Sequence, residues 1–214
     1  MGKKIGVLGS GVVAQTLAKG FHAKGYETRI GSRNASKLAA FSKETGIAAG
    51  NFAEVAAFGE ISVLAVKGSA ALDAVGLVGE KILAGKIVID TTNPIADAPP
   101  ENGVLRFFTG PNDSILEGLQ KTFPSIRFVK AWNTVGSAFF VDPVFAGGPP
   151  TQFLCGNDEA AKAEVARIVT EFGFAPEDFG GAESARAIEP LCMLWCIPGL
   201  RGGGWAHAFK LLHP

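Results

Sequence analysis

The sequence is poor in the side chains that most enzymes use as reactive groups. Its 214 residues include three histidines, three cysteines and one tyrosine. His22, His207 and His213 are scattered, and no Ser–His–Asp or Cys–His set stands at a spacing that would assemble a nucleophile. No two carboxylates are placed for paired acid–base work either. Cys192 and Cys196 lie one helical turn apart in an apolar run, but no histidine or acid accompanies them at ligand spacing. They are expected in the core, and Cys155 at the end of a strand-like Gln152–Cys155 segment. The sequence therefore predicts no catalytic side chain and no metal. His22 is expected on the surface, and His207 is the one histidine that merits a test.

Long hydrophobic runs are also missing, and so is an excess of charge. The apolar stretches are strand-sized, and no charged-then-apolar leader opens the chain. Lysine plus arginine and aspartate plus glutamate each number 20, so no long-range field favours DNA, RNA or an anionic membrane. The expectation is a cytoplasmic protein with neither nucleic-acid nor membrane partners. There is no internal repeat and no low-complexity segment.

Glycine, in contrast, is abundant at 28 residues, with many at expected strand–helix junctions. Strand-like and helix-like segments alternate along the chain. Lys4–Leu8, Glu27–Ile30, Ile47–Ala49, Ile61–Val66, Lys86–Asp90 and Arg127–Ala131 read as strands. Val12–Lys24, Ala35–Thr45, Phe52–Phe58, Ala70–Leu83 and Ser114–Thr122 read as the helices between them. This alternation predicts an α/β fold with a doubly wound parallel sheet and right-handed crossovers. Beyond it, Glu159–Phe172 is an amphipathic helix with Asn157 or Asp158 as its cap. Ala185–Ile197 is expected as a last apolar helix broken by Pro190, Pro198–Trp205 as a loop or hinge, and His207–Leu212 as one further turn. The predicted organisation is a dinucleotide-binding domain over 1–180 and a small C-terminal helical cap over 181–214. The apolar run Pro190–Leu200 is either core or the seam of an expected homodimer.

The chemistry is written at the first turn. Ile5–Leu8 leads into Gly9-Ser10-Gly11-Val12-Val13-Ala14, a G-x-G-x-x-A element between a strand and a helix. Gly9 permits the tight turn, Gly11 lets backbone approach a pyrophosphate, and Ala14 lets helix and strand lie close. The free amides around Gly11, Val12 and Val13 put the positive end of a helix at the phosphates. The second strand ends in Gly31-Ser32-Arg33-Asn34, with no acid to accept from a ribose 2′-OH. Ser32 can donate to a 2′-phosphate, Arg33 can grip it with a fork of N–H groups, and Lys37 adds charge one turn on. The pattern favours NADP(H) over NAD(H).

Read with Asp90-Thr91-Thr92-Asn93-Pro94, Val129-Lys130-Ala131-Trp132-Asn133-Thr134, Cys155-Gly156-Asn157 and Ser184–Glu189, these motifs span nearly the whole chain. The chain resembles the NADPH-dependent deazaflavin reductases, also called F420-dependent NADP oxidoreductases. It is also similar to the soluble reductase domain of the six-transmembrane metalloreductases of animals. The resemblance implies a Rossmann fold with NADPH across the carboxyl ends of the strands. It implies Gly9, Ser10, Gly11, Val12 and Val13 at the pyrophosphate, and Ser32, Arg33 and Lys37 at the 2′-phosphate. Ala65, Val66 and Lys67 would run beneath the cofactor, Asn93 and Pro94 beside the nicotinamide, and Asn133 and Thr134 near the acceptor ring. Archaeal deazaflavin reductases often have His-Thr where this chain has Asn133-Thr134, whereas the metalloreductase domain has an Asn. The glycine-rich run Pro198–Gly204 is a second departure.

The implied reaction is hydride transfer between NADP(H) and a small-molecule acceptor, either F420 or a flavin such as FAD or FMN. Such a transfer needs two stacked rings rather than a nucleophile or a metal. Little chain follows Pro150, so the acceptor is expected against loops and a short cap rather than a helical second domain. Two other readings stay open: a reductase of a small imine, ketone or quinone, and a module that binds NADPH to sense it without turnover. Trp132 is expected in the core rather than on a ligand, and Glu189 at the N-terminus of its own helix. Arg201 would either meet an acidic coenzyme tail or remain solvated.

Overall fold

A computed structural model describes residues 3–214. Six parallel strands form the main sheet: β1 (Lys4–Leu8), β2 (Glu27–Gly31), β3 (Ala48–Gly50), β4 (Ile61–Leu64), β5 (Ile87–Asp90) and β6 (Arg127–Lys130). Their order is β3-β2-β1-β4-β5-β6. This is a doubly wound Rossmann sheet, and the order reverses between β1 and β4, where such sheets open a crevice at their carboxyl ends.

Helices cover both faces. On one side α1 (Val12–Ala23), α2 (Ala39–Thr45) and α7 (Glu159–Glu171) pack against Ile5, Val7, Ile30, Val63, Ile89 and Val129. On the other, α3 (Phe52–Phe58), α4 (Ala71–Val78), α6 (Ile115–Thr122) and α8 (Ala185–Leu200) cover Leu8, Leu64, Val88 and Phe128. Alternate residues of each strand thus feed separate cores, which is why the strands read as continuous apolar runs. Local capping agrees. Asn51 and Glu54 form a reciprocal capping box at α3, and Asp158 Oδ1 accepts from Ala161 N at 2.7 Å to start α7.

Several boundaries differ from expectation. The helix predicted over Ala70–Leu83 divides at Gly79, whose φ of 88° is left-handed, so a short α5 (Glu80–Leu83) follows α4. The strand after β6 does not join the main sheet as a seventh member. Instead β7 (Thr151–Leu154) pairs in parallel with an unanticipated β8 (Ala175–Asp178), and a single antiparallel bridge, Lys130–Cys155, joins this pair to β6. Pro176 lies within β8, a position that a two-stranded ribbon tolerates. Pro190 does not break the last helix, and Pro198 also lies inside it. Burial of Ile188, Cys192 and Trp195 outweighs the two lost backbone bonds. The tail is not helical. Thr151 N donates to Phe209 O at 2.9 Å and Leu211 N to Thr151 Oγ1 at 2.9 Å, so the tail runs along β7. Among the described residues, no helix is long and apolar enough to cross a membrane.

Candidate functional site

The crevice at the β1/β4 reversal is a cleft of about 690 Å³. Its floor is the glycine turn. Gly9 N donates to Gly31 O at 2.9 Å and Ala65 N to Leu8 O at 2.8 Å, which pins the exits of β1, β2 and β4 together. A Cβ on Gly9 would stand 2.1 Å from the Ala65 carbonyl oxygen and 3.0 Å from Ala14 Cβ. Both Gly9 and the small Ala14 are therefore required by close approach. Gly11 is different: a Cβ there would meet nothing within 4 Å. Its missing side chain keeps open a space at the mouth of α1, whose N-terminus has no side-chain cap. Amides left free in this way form an anion site.

One end of the cleft is cationic. Ser32 follows β2, and its Oγ lies 3.4 Å from Ser10 Oγ and accepts from Asn34 N at 3.2 Å. Arg33 and Lys37 line the same end, and among the described residues neither pairs with a carboxylate. Asn34, unassigned in the sequence, also lines it, and Asn34 Oδ1 accepts from Ser36 N at 3.1 Å. The opposite wall is apolar, from Phe52, Ala70, Ala74 and Leu77, with Asp73 among them. No motif marks these residues; Phe52 comes from the start of α3, Ala70 from the turn before α4, and Ala74 and Leu77 from the edge of α4 that faces the cleft. That placement explains why Leu77 is 62% exposed. A cationic end beside an apolar slot fits an adenosine carrying a 2′-phosphate.

The other predicted residues divide into two groups. Gly9, Ser10, Gly11, Val12, Val13, Ser32, Arg33, Lys37, Ala65, Val66 and Lys67 all line the cleft. Lys67 meanwhile pairs with Asp97 at 2.8 Å on the surface. Asn93, Pro94, Asn133 and Thr134 are not among the lining residues. They sit on the exits of β5 and β6, where the two asparagines are held to one another. Asn93 Nδ2 donates to Asn133 O at 2.9 Å, and Asn133 Nδ2 donates to Asn93 Oδ1 at 3.2 Å and to Ile188 O on α8 at 3.0 Å. Asn133 is 3% exposed, and its Oδ1 has no protein donor. Trp132 just before it has a left-handed φ of 54°, which turns the chain sharply out of β6. Its indole is buried against Phe21 and Phe172, as expected of a core residue.

Three further residues stand as follows. Glu189 serves a helix N-terminus, but that of α6 rather than its own: Glu189 Oε2 accepts from Ile115 N at 3.0 Å and Oε1 from Leu116 N at 3.1 Å. His207 is locked to Trp195: His207 Nε2 lies 2.8 Å from Trp195 O, and Trp195 Nε1 donates to His207 O at 2.9 Å. His207 thus holds the tail on α8. Arg201 is exposed, and its side chain lies over Gly103. Among the described residues, no group of three or more His, Cys, Asp or Glu is placed to hold a metal ion.

Comparison with known proteins matches this architecture. Residues 4–94 match the family described as NADP oxidoreductase, coenzyme F420-dependent. A structure from Arthrobacter sp. FB24, described as a candidate F420-dependent NADP reductase, is 34% identical, with a TM-score of 0.92 over 99% of this chain and 100% of that one. The metalloreductase STEAP3 of Rattus norvegicus is 31% identical over 201 residues, which make up 92% of this chain; the chain spans 38% of that relative's length. An imine reductase variant from Myxococcus stipitatus, solved with NAD+, shares the fold at 17% identity and a TM-score of 0.65, over 94% of this chain and 63% of that one.

Proposed function

The chain belongs to the coenzyme F420-dependent NADP oxidoreductase family and is an NADP-dependent oxidoreductase, and from that premise we propose that it exchanges a hydride between NADP(H) and a deazaflavin or flavin ring. The observation that carries the acceptor reading is the similarity over the whole of the Arthrobacter protein, rather than over the nucleotide half alone. When bound, NADPH supplies the hydride from C4 of its nicotinamide.

The residues of this chain bind, orient and enclose. The amides around Ser10, Gly11, Val12 and Val13 meet the pyrophosphate at the head of α1. Ser32, Arg33 and Lys37 hold the 2′-phosphate, and Ala65, Val66 and Lys67 carry the cofactor across the end of β4 toward β5. Asn93 and Pro94 wall the nicotinamide. Asn133 Oδ1, buried without a protein donor, is an acceptor for an N–H of the carboxamide rather than a partner for a ring carbonyl. Asn133 and Thr134 bound the acceptor side. This wall is made of amide, hydroxyl and apolar groups, which suits a transfer governed by ring alignment and exclusion of water rather than by proton relay.

An anaerobic absorbance assay tests the acceptor. NADPH is mixed with F420, FAD, FMN and a panel of quinones. Oxidation by F420 or a flavin is the expected result. Oxidation by quinones alone, or by none of the panel, would overturn the reading.

A further inference from the structure

Beneath the exits of β5 and β6 lies an ion cluster that the binding roles above do not use. Lys130, the last residue of β6, has no solvent exposure. Its Nζ stands 2.6 Å from Asp90 Oδ2 at the end of β5 and 2.8 Å from Glu189 Oε1 on α8, and donates to Thr92 O at 2.9 Å. Asp90 Oδ1 accepts from Thr92 N at 2.9 Å and from Thr92 Oγ1 at 2.7 Å. Glu189 also receives the two amides that open α6.

Burial alone would push the Lys130 ammonium toward neutrality, but the Asp90 and Glu189 carboxylates outweigh it and hold its pKa above the usual lysine value. The nearby thiols remain protonated. Burial pushes Cys155 up to about 12, and a hydrogen bond with Cys196, then burial, raises Cys192. One cation and two carboxylates are thus the charges of this interior.

Such a cluster is a poor source of stability, because the desolvation of each ion offsets most of the attraction. What it does supply is geometry. Every bond from Lys130 Nζ ends on a different element. Together they fix the Thr91–Pro94 loop to β6 and α8, and α8 fixes Asn133 through the Ile188 carbonyl. We propose that Lys130, Asp90 and Glu189 are positioning residues that hold the Asn93–Asn133 wall against the nicotinamide. The proposal rests on the cofactor orientation given above, with adenosine over β1 and β2 and nicotinamide toward β5, but not on the identity of the acceptor.

The test compares two ligands by titration calorimetry. Adenosine 2′,5′-bisphosphate occupies the adenosine end alone; NADPH reaches the wall. Glu189→Gln keeps the shape and leaves the Lys130–Asp90 pair, while Lys130→Met removes the hub. In a folded variant, NADPH affinity is expected to fall about tenfold while bisphosphate affinity stays within about twofold, as for a displaced wall far from the phosphate clamp. A change shared equally by both ligands, or no change in either, would overturn the proposal. So would loss of the folded state in both variants, because the cluster would then be a stability element. Wild-type protein that binds NADPH but reduces no ring acceptor would remove the acceptor reading and leave this ratio standing.

Discussion

Arg33→Ala isolates the contact that selects the cofactor. The guanidinium lines the cleft without a carboxylate partner among the described residues, so its removal strands no acid and folding should not change. A charge-assisted hydrogen bond to phosphate contributes about 1.5–3 kcal/mol. A forked guanidinium can make two, but the site is exposed and Lys37 stands close in sequence, so part of the second is recovered by solvent and by the lysine. The net loss is set at about 1.5–3 kcal/mol, or about one to two decades in Kd. NADH carries no 2′-phosphate, and its affinity should remain unchanged. Calorimetric titration of NADPH, NADH and adenosine 2′,5′-bisphosphate at two salt concentrations reads this directly. The salt dependence of NADPH binding should also weaken, since a screened charge pair is removed. Equal weakening of NADPH and NADH would refute the assignment of Arg33 to the 2′-phosphate.

Other perturbations separate folding from binding. Gly9→Ala forces a Cβ to within 2.1 Å of the Ala65 carbonyl oxygen and should lower stability by about 1–3 kcal/mol in a thermal melt without ligand. Gly11→Ala places a Cβ where no protein atom lies within 4 Å; its unliganded melt should match wild type while the rise in Tm with NADPH is reduced. In thiol titration, Cys196 should react first, because its hydrogen bond with Cys192 lowers its pKa and it is only half-buried. Cys155 and Cys192 should react only after unfolding, and Cys196→Ser should abolish the fast phase. Hydrogen bonding from Arg167 holds the Glu164 carboxyl down to about 2, against opposing burial and with help from Lys3. A lowered folded pKa gives stability that is present above the unfolded value and lost as pH falls. Wild type should therefore lose more stability than Glu164→Gln between about pH 5 and about pH 2 in denaturant titrations.

The parallel sheet and its helices were legible because strand and helix periods alternate cleanly and glycines punctuate them. The phosphate end of the site was legible for a similar reason: Gly9, Gly11 and Ala14 act through local backbone geometry and Ser32 and Arg33 stand directly at the end of β2, which leaves a fixed spacing in the chain. What was hidden depends on contacts distant in sequence. The apolar slot of Phe52, Ala70, Ala74 and Leu77 uses ordinary core-type residues, and nothing in their pattern says that one edge of α4 is bare. The course of α8 through Pro190 and Pro198 is a tertiary effect, since the helix is held by what it buries and by the Trp195–His207 lock.

The ion cluster was hidden differently, for its signal was present. β5 reads Ile-Val-Ile-Asp and β6 reads Arg-Phe-Val-Lys, and the two charges that end them, Asp90 and Lys130, face one another in register. A strand buried on both faces does not end in a lysine unless an acid meets it, and β6, though last in the sheet, is covered by α6 and α7 and is buried from Phe128 to Lys130. Each residue alone looks like a solvated strand end; together, on adjacent strands, they demand a pair. The same logic reaches Glu189, an acid in the apolar run Ala187-Ile188-Glu189-Pro190-Leu191. An acid there needs either solvent or donors, and it finds the Lys130 ammonium and the two opening amides of α6. Isolated charges at the ends of buried segments are thus the sequence signature of groups that tie elements together. Here they tie the elements from which Asn93 and Asn133 project.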